Sequence, residues 1–321
     1  MSAPQTFSPR QIAEAVGLSE SSIKRWADGG ALAYIRTAGG HRRITQDEAV
    51  RFVRSQGLRV LKPDLLGLGD ASVGPDASAP KDEGDEKLTE LLCTELRQNR
   101  PQAARHLLLR AFESGVPAWR LCDGPIQSCL SELGEAWRDD RDRGIVLEHA
   151  AVDVILQTLS QIRARLRGDL GLRLSGIEQR RCPLAIGGAP SRDPYLLGST
   201  MAATTLVEIG FEDLNLGPDT PLTSLTEAVA SMRPTVAWLS SSGSGDHPRA
   251  ADLAPLMQAC DQAGAVLFLG GRGFQRRPVM MPPPHRTLRT MSALAESARV
   301  LFERWTPTSA PRAHPIADGA G

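Results

Sequence analysis

Between Cys182 and Phe274 short apolar runs alternate with amphipathic stretches, and small residues stand at the end of each run. Pro183 to Gly187 reads as a buried strand closed by Gly187-Gly188, and Asp213 to Leu216 as a second strand. Thr235 to Leu239 is a third, stopping at Ser240-Ser241-Ser242-Gly243, and Ala265 to Leu269 a fourth, stopping at Gly270-Gly271. A helix opens near Leu197-Gly198, behind the loop 189–195. Pro278 to Met281 is a candidate edge strand, and Thr290 to Trp305 reads as a closing amphipathic helix. Strands alternating with helices of this length require right-handed crossovers, which predicts a doubly wound parallel sheet over 180–305. In such sheets ligands settle outside the carboxyl ends of the strands. This chain places its small residues there.

The period is helical from 87 to 168. Leu88, Leu91, Leu92 and Leu96 share one face; Pro101 starts a second helix through Phe112. A third is predicted from Pro117 to Trp137 and a fourth from Val146 to Leu166, which together make a four-helix bundle. At the front, Ser8-Pro9-Arg10-Gln11 is an N-cap with proline at N1 and a capping-box glutamine. That helix ends at Gly17, Ser19 caps a second with Ile23 and Trp26 on its apolar face, and a hairpin spans Arg36 to Ile44. Thr45 with Glu48 predicts a further capping box, opening a helix through Val53. The expected whole is a multidomain chain: a helix-turn-helix head at 1–60, classed as all-α, then the bundle, then the α/β domain. An acidic tether at 63–86 and a Pro/Ala/Gly-rich tail at 306–321 complete it.

Composition changes this picture in three places. A length of 321 residues has room for two or three domains. No apolar run approaches the roughly 20 residues of a membrane span, and no charged-then-apolar leader is visible, so a cytoplasmic protein off the membrane is expected. The five cysteines are scattered without CxxC spacing and read as reduced thiols, mostly core. Charge is neutral overall but unevenly spread. Residues 1–60 carry nine Lys or Arg against five acids, whereas 63–86 carry seven acids against Lys81. A basic head suits a polyanion.

The strand-end residues resemble the cobalamin-binding fold of methionine synthase, the mutases and the CarH-type light-responsive regulators. That family uses D-x-H-x-x-G, then S-x-L or S-x-T, then Gly-Gly. Here Asp193, Tyr195 and Gly198 stand in the first motif, Ser240 and Ser242 in the second, and Gly270-Gly271 in the third, separated by 41 and 27 residues. The departure is Tyr195, where the family has the histidine that ligates cobalt from below. Imidazole is a good cobalt donor, while a phenol must first lose a proton at about pH 10. The resemblance therefore implies a tetrapyrrole held without a lower histidine. It is either cobalamin with its own base on or a linear bilin such as biliverdin, for which Arg192, Tyr195 and His149 are donors and Asp193 an acceptor from pyrrole nitrogens.

Arg25-Trp26 and Gly39-Gly40-His41-Arg42-Arg43 resemble the winged DNA-binding domain of the MerR family. By that likeness Ser21, Ser22, Lys24 and Arg25 face a major groove, and His41, Arg42 and Arg43 form the wing on the phosphates. Trp137, Glu148 and His149 are similar to the W…E-H motif with which the CarH type covers the upper face of the corrin, one residue longer in spacing. The resemblance implies a photoreceptor and one-component transcription regulator that binds a double-stranded DNA operator as a dimer or tetramer. Light would change the cofactor, move the bundle relative to the sheet and alter the oligomer. A light-independent regulator acting through a protein partner is the alternative. No nucleophile, base and metal-ligand constellation is visible, so neither catalysis nor a protein metal site is expected.

Overall fold

The computed structural model describes residues 6–37, 39–55, 62–66, 83–135, 141–174, 182–244 and 247–305. The chain divides into two compact units, Met1–Thr158 and Leu159–Gly321.

The first unit opens with strand β1 (Thr6–Phe7), helix α1 (Pro9–Val16) and helix α2 (Glu20–Asp28). The Ser8–Gln11 capping box forms in both directions, and Gly17 closes α1 at φ 69°, a left-handed conformation that costs glycine little. Ser19 then accepts the Ser22 N–H at 3.2 Å, satisfying one orphan donor of α2. Strand β2 (Ile35–Arg36) and strand β3 (Arg42–Thr45) form the hairpin, and helix α3 (Gln46–Ser55) follows. The head is not all-α: β3 pairs antiparallel with both β1 and β2, giving a three-stranded sheet in the order β1-β3-β2. Ile12, Ile23, Leu32, Ile44 and Phe52 are fully buried beneath it, with Trp26 packed edge-on against Phe52 at 5.2 Å.

Two details of the head depart from expectation. Only half of the Thr45–Glu48 box forms: Thr45 accepts the Glu48 N–H at 3.4 Å. The Glu48 carboxylate instead takes the Ala33 N–H at 2.6 Å and pairs with Arg51. Further on, Pro63–Leu66 is a 3-10 turn that returns to the head, with Leu66 fully buried in its core and Lys62 donating its N–H to Ala15 O at 3.0 Å. Burying Leu66 contributes about 1.5–3 kcal/mol towards holding this turn against α1, beside the packing of Leu65 and the Lys62 hydrogen bond. Residues 67–82 lie outside the described residues.

Helix α4 (Glu83–Arg97) begins inside the same acidic stretch, where Asp85 pairs with Arg120 at 3.0 Å. Helix α5 (Pro101–Glu113) packs on it. The single helix expected over 117–137 is broken into α6 (Ala118–Leu121), a π-turn at Cys122–Ile126 and α7 (Gln127–Glu135). Pro125 has no N–H to give the ladder, and the ring spaces the turn outward. Cys122 and Cys129 are buried, in keeping with the expectation of core thiols.

Helix α8 (Arg141–Leu174) is longer at both ends than the periodicity predicts, and its last part belongs to the second unit. Contrary to expectation, its stretch Gly144–Gly168 is long and apolar enough to cross a membrane by length and composition. Ala151, Val154, Ile155 and Leu159 supply much of that apolarity, and they are buried in the protein.

In the second unit the strands are β4 (Leu184–Gly188), β5 (Glu212–Asn215), β6 (Val236–Ser240), β7 (Val266–Gly270) and β8 (Arg286–Thr287). They form one parallel sheet in the order β5-β4-β6-β7-β8. Helices α9 (Leu197–Ile209), α10 (Leu222–Met232), α11 (Ala250–Ala263), the short α12 (Arg272–Arg276) and α13 (Met291–Arg304) complete the unit. Two cores result, one between the sheet and α10–α11, the other between the sheet and α9–α13. The edge strand lies at Arg286–Thr287 and not at 278–281. Prolines 282–284 cannot donate to a ladder, and His285 steps in by accepting the Leu267 N–H at 3.1 Å.

Candidate functional site

The strand order reverses between β4 and β6, and the loops leaving their carboxyl ends meet there. After β4 the chain is fixed by Ala189, whose N–H goes to Gly217 O at 2.8 Å and whose carbonyl takes the Thr220 N–H at 2.8 Å. Arg192 adopts φ 63°, strained for a side chain of its size, and its N–H is held by the Asp219 carboxylate at 2.7 Å. That geometry turns Asp193 inward, where it is fully buried. One Asp193 oxygen accepts the Ser242 N–H at 2.6 Å; the other accepts the Ser242 hydroxyl at 2.9 Å and the Tyr195 N–H at 3.2 Å.

A buried carboxylate thus ties together two loops separated by 49 residues. The role expected for Asp193, accepting from pyrrole nitrogens, meets oxygens that already carry three hydrogen bonds. Tyr195 turns the other way and is 50% exposed. Arg192 is also exposed.

The other motif residues converge on the same rim. A Cβ on Gly198 would collide with the Ser240 hydroxyl, so helix and strand touch there. Gly271 sits at φ 90° with its Cα against the Ser241 backbone, and the Gly273 N–H goes to Ser241 O at 2.9 Å. Ser241 Oγ accepts the Gly243 N–H at 3.2 Å, which tightens the loop after β6 on itself. Gly270 hands its carbonyl to the Ser241 N–H at 2.9 Å.

Sequence reasoning missed the residues beneath that rim. Trp238 is 2% exposed and donates its indole N–H to Ser199 Oγ at 3.1 Å. Ser199 Oγ donates in turn to Asn215 Oδ1 at 2.7 Å, which also takes the Gly217 N–H at 3.1 Å. Gly187 faces Trp238 across the β4–β6 ladder, and a Cβ at 187 would overlap the indole. The signal available in the sequence was a tryptophan two residues before Ser240, which period two places on the same face of the strand.

At the far edge of the sheet Asp213, on β5, is fully buried and takes two guanidinium groups from the end of α8. Arg167 Nε donates at 2.9 Å, and Arg163 stands 3.5 Å away. Burial pushes the Arg163 guanidinium below its ordinary range, Asp213 opposes that, and Arg167 adds to it.

Of the residues expected from the bundle, Trp137 lies outside the described residues. Glu148 is half-buried and His149 exposed on α8, in the first unit. A groove of about 570 Å³ in that unit, lined by Asp85, Glu90, Cys93, Arg97 and Glu132, holds none of the expected site residues. Among the described residues no three His, Cys, Asp or Glu side chains are grouped to hold a metal ion.

In the head, Ser21, Lys24 and Arg25 are exposed along α2, and Ser22 is half-buried. Ser21 and Ser22 both share hydrogen bonds with the Ser19 hydroxyl, and Lys24 pairs with Glu20 at 2.8 Å. The hairpin is pinned by Thr37, whose N–H goes to His41 O at 2.9 Å. His41 and Arg43 are exposed, while Arg42 is half-buried, pairs with Asp28 and lies 5.1 Å over the Tyr34 ring. Arg36, not expected in the site, stands 5.9 Å from that ring. Hydrogen bonding to Arg36 first and Arg42 second holds the Tyr34 phenol below its usual range.

No protein-family model and no curated protein matches the chain. Among solved structures it is similar to the monomethylamine corrinoid protein of Methanosarcina barkeri, at 14% identity over 68% of this chain and 99% of that one, with a TM-score of 0.47. The methanol:cobalamin methyltransferase complex MtaBC from Methanosarcina barkeri follows at 14% identity over 69% and 81%, with a TM-score of 0.33. A cobalamin-binding protein from Desulfitobacterium hafniense DCB-2 has 15% identity over 68% and 98%, with a TM-score of 0.30.

Proposed function

We propose that the chain is a cytoplasmic one-component transcription regulator. Its MerR-like winged head binds a duplex operator, and its α/β unit carries a light-absorbing tetrapyrrole at the strand ends. The observation that carries the reading is the convergence of three motifs, Asp193–Gly198, Ser240–Ser242 and Gly270–Gly271, on one rim where the strand order reverses. The same chain bears a helix-turn-helix and a basic hairpin, with Arg25 of the helix and Arg43 of the hairpin exposed. The ligand class is a tetrapyrrole without a lower protein imidazole, since position 195 is tyrosine and exposed. Cobalamin with its base on and a linear bilin such as biliverdin both meet that condition. When bound, the pigment supplies the light absorption, and this chain's residues supply the cradle.

The output proposed is a change of homo-oligomer, dimer or tetramer. Paired heads gain from two half-sites at once, and separated heads bind singly. The chain acts as a binder, not an enzyme.

A second reading is favoured by the paired polar groups of the rim and the filled space beneath it. In it the α/β unit holds no pigment and works through a protein partner. One experiment separates the two. Full-length protein is mixed with adenosylcobalamin or with biliverdin, its absorption spectrum recorded, and its affinity for duplexes selected from a random pool compared in dark and light. A shifted spectrum and a light-dependent affinity are expected. An unshifted spectrum with equal affinities leaves the partner-driven regulator.

A further inference from the structure

We propose that Trp238 is a selectivity residue that closes the floor of the crevice. The rim then accepts only a tetrapyrrole that lies on top of it, with nothing threaded between α9 and the sheet. This rests on the tetrapyrrole reading above and sharpens it.

Three observations place the indole across the wedge between β4, β6 and the first turn of α9. Trp238 springs from β6, and its N–H reaches Ser199 on α9 at 3.1 Å. It passes over β4 at Gly187, where any Cβ would overlap it. Just above, α9 closes onto β6 so tightly that a Cβ on Gly198 would strike Ser240 Oγ. Behind the indole stand Ala202, Ala203 and Leu206, all buried. The wedge is full.

The consequence follows from the cofactor's own chemistry. Cobalamin hangs a nucleotide ending in dimethylbenzimidazole below its ring. When that base leaves the cobalt it needs a channel of its own. Dimethylbenzimidazole and indole are both fused bicyclic aromatics of similar size, so one wedge does not hold both. Moving Trp238 aside would strip Ser199 of its donor in a fully buried position and expose one of the largest apolar side chains of the unit. A displaced-tail corrinoid therefore does not fit this chain. A bilin, a tailless corrinoid, or cobalamin with its base still on the cobalt does.

The test compares dicyanocobinamide, which lacks the nucleotide, with hydroxocobalamin and biliverdin, each titrated into full-length protein and followed by absorption. Cobinamide or biliverdin is expected to bind at least as tightly as cobalamin, to within about threefold, and any bound cobalamin is expected to keep its base-on spectrum. Cobalamin bound about tenfold or more tightly than cobinamide, with a base-off spectrum, would overturn the closed floor while leaving the tetrapyrrole reading intact. No spectral change with any of the three overturns that reading itself, and the selectivity claim with it.

Trp238→Val opens the wedge and is expected to raise cobalamin affinity about tenfold while leaving cobinamide unchanged. Trp238→Phe keeps the wedge filled without the N–H and is expected to retain wild-type selectivity. Should the valine variant fail to fold, the wild-type pair of corrinoids and the phenylalanine variant still decide.

Discussion

The two candidate faces of this chain treat their polar groups in opposite ways. At the strand-end rim nearly every polar atom is already paired inside the protein. Asp193 holds Ser242 and Tyr195, Ser199 bridges Trp238 and Asn215, and Ser241 interlocks the Gly243 and Gly273 loops. On the head, Arg25 and Arg43 are exposed and make no ion pair or side-chain hydrogen bond among the described residues. A rim of spent groups is a rigid seat; in the function proposed above, shape and outward side chains such as Tyr195 would grip the ligand. In the function proposed above, a face of spare guanidinium groups would meet a partner rich in negative charge, and phosphates satisfy such groups without demanding sequence.

Substituting a spent charge breaks the fold, and the sharpest case is Asp213. Asp213→Ala leaves Arg163 and Arg167 at the sheet edge without their carboxylate. Breaking one side of a buried pair costs roughly 3 kcal/mol here, the lower end of its range, because Arg167 is 48% exposed. The measurement is the urea midpoint followed by far-UV signal. A midpoint that stays put would show that the clamp is decorative.

Next in size is Asp193→Ala, which strands the Ser242 N–H and frees the loop after β6. A buried donor left unsatisfied costs about 1–3 kcal/mol, so a loss near 2 kcal/mol is expected on the same urea curve. Asp193→Asn keeps one acceptor and should lose about half as much. If alanine and asparagine behave alike, the carboxylate is not what joins the two loops.

How much of this contrast was legible in the sequence depends on the distance between partners. The first four strands of the parallel sheet were readable to within a residue, because each is a short run closed by glycine or serine. The Ser8–Gln11 and Ser19 caps were readable because they act over three residues. What escaped was non-local. The role of Trp238 needs the register that sets it opposite Gly187, 51 positions earlier on a different strand. Asp193 looked like a ligand group because nothing local shows that Ser242 consumes it. Glu48 was assigned to Thr45 by spacing, but Ala33 and Arg51 compete for its carboxylate and win. The edge strand was misplaced because β8 has only two residues and no apolar run to announce it.

Within the head the same contrast can be sharpened at smaller scale. Ser19→Ala removes the cap that accepts the Ser22 N–H and is expected to cost about 1 kcal/mol. Thermal unfolding of the chain followed at the Trp26 environment would register it. An unchanged transition would mean that the cluster of Ser21 and Ser22 hydroxyls replaces the cap.

The smallest stability effect is expected where the functional one is greatest. Arg25→Ala and Arg43→Ala remove no ion pair or side-chain hydrogen bond among the described residues, so each should leave stability within about 0.5 kcal/mol. On duplex DNA each removes one cation from the face formed by α2 and the hairpin. Every phosphate contact contributes about 0.9 to the slope of log affinity against log salt, so the double variant should flatten that slope by close to 2. Arg42→Ala is the internal control of opposite kind, since Arg42 pairs with Asp28 and packs over Tyr34. It should weaken the hairpin as well as DNA binding. Salt slopes unchanged in the Arg25/Arg43 double variant would move the polyanion surface off this face altogether, and spare charge there would then mean nothing more than solvation.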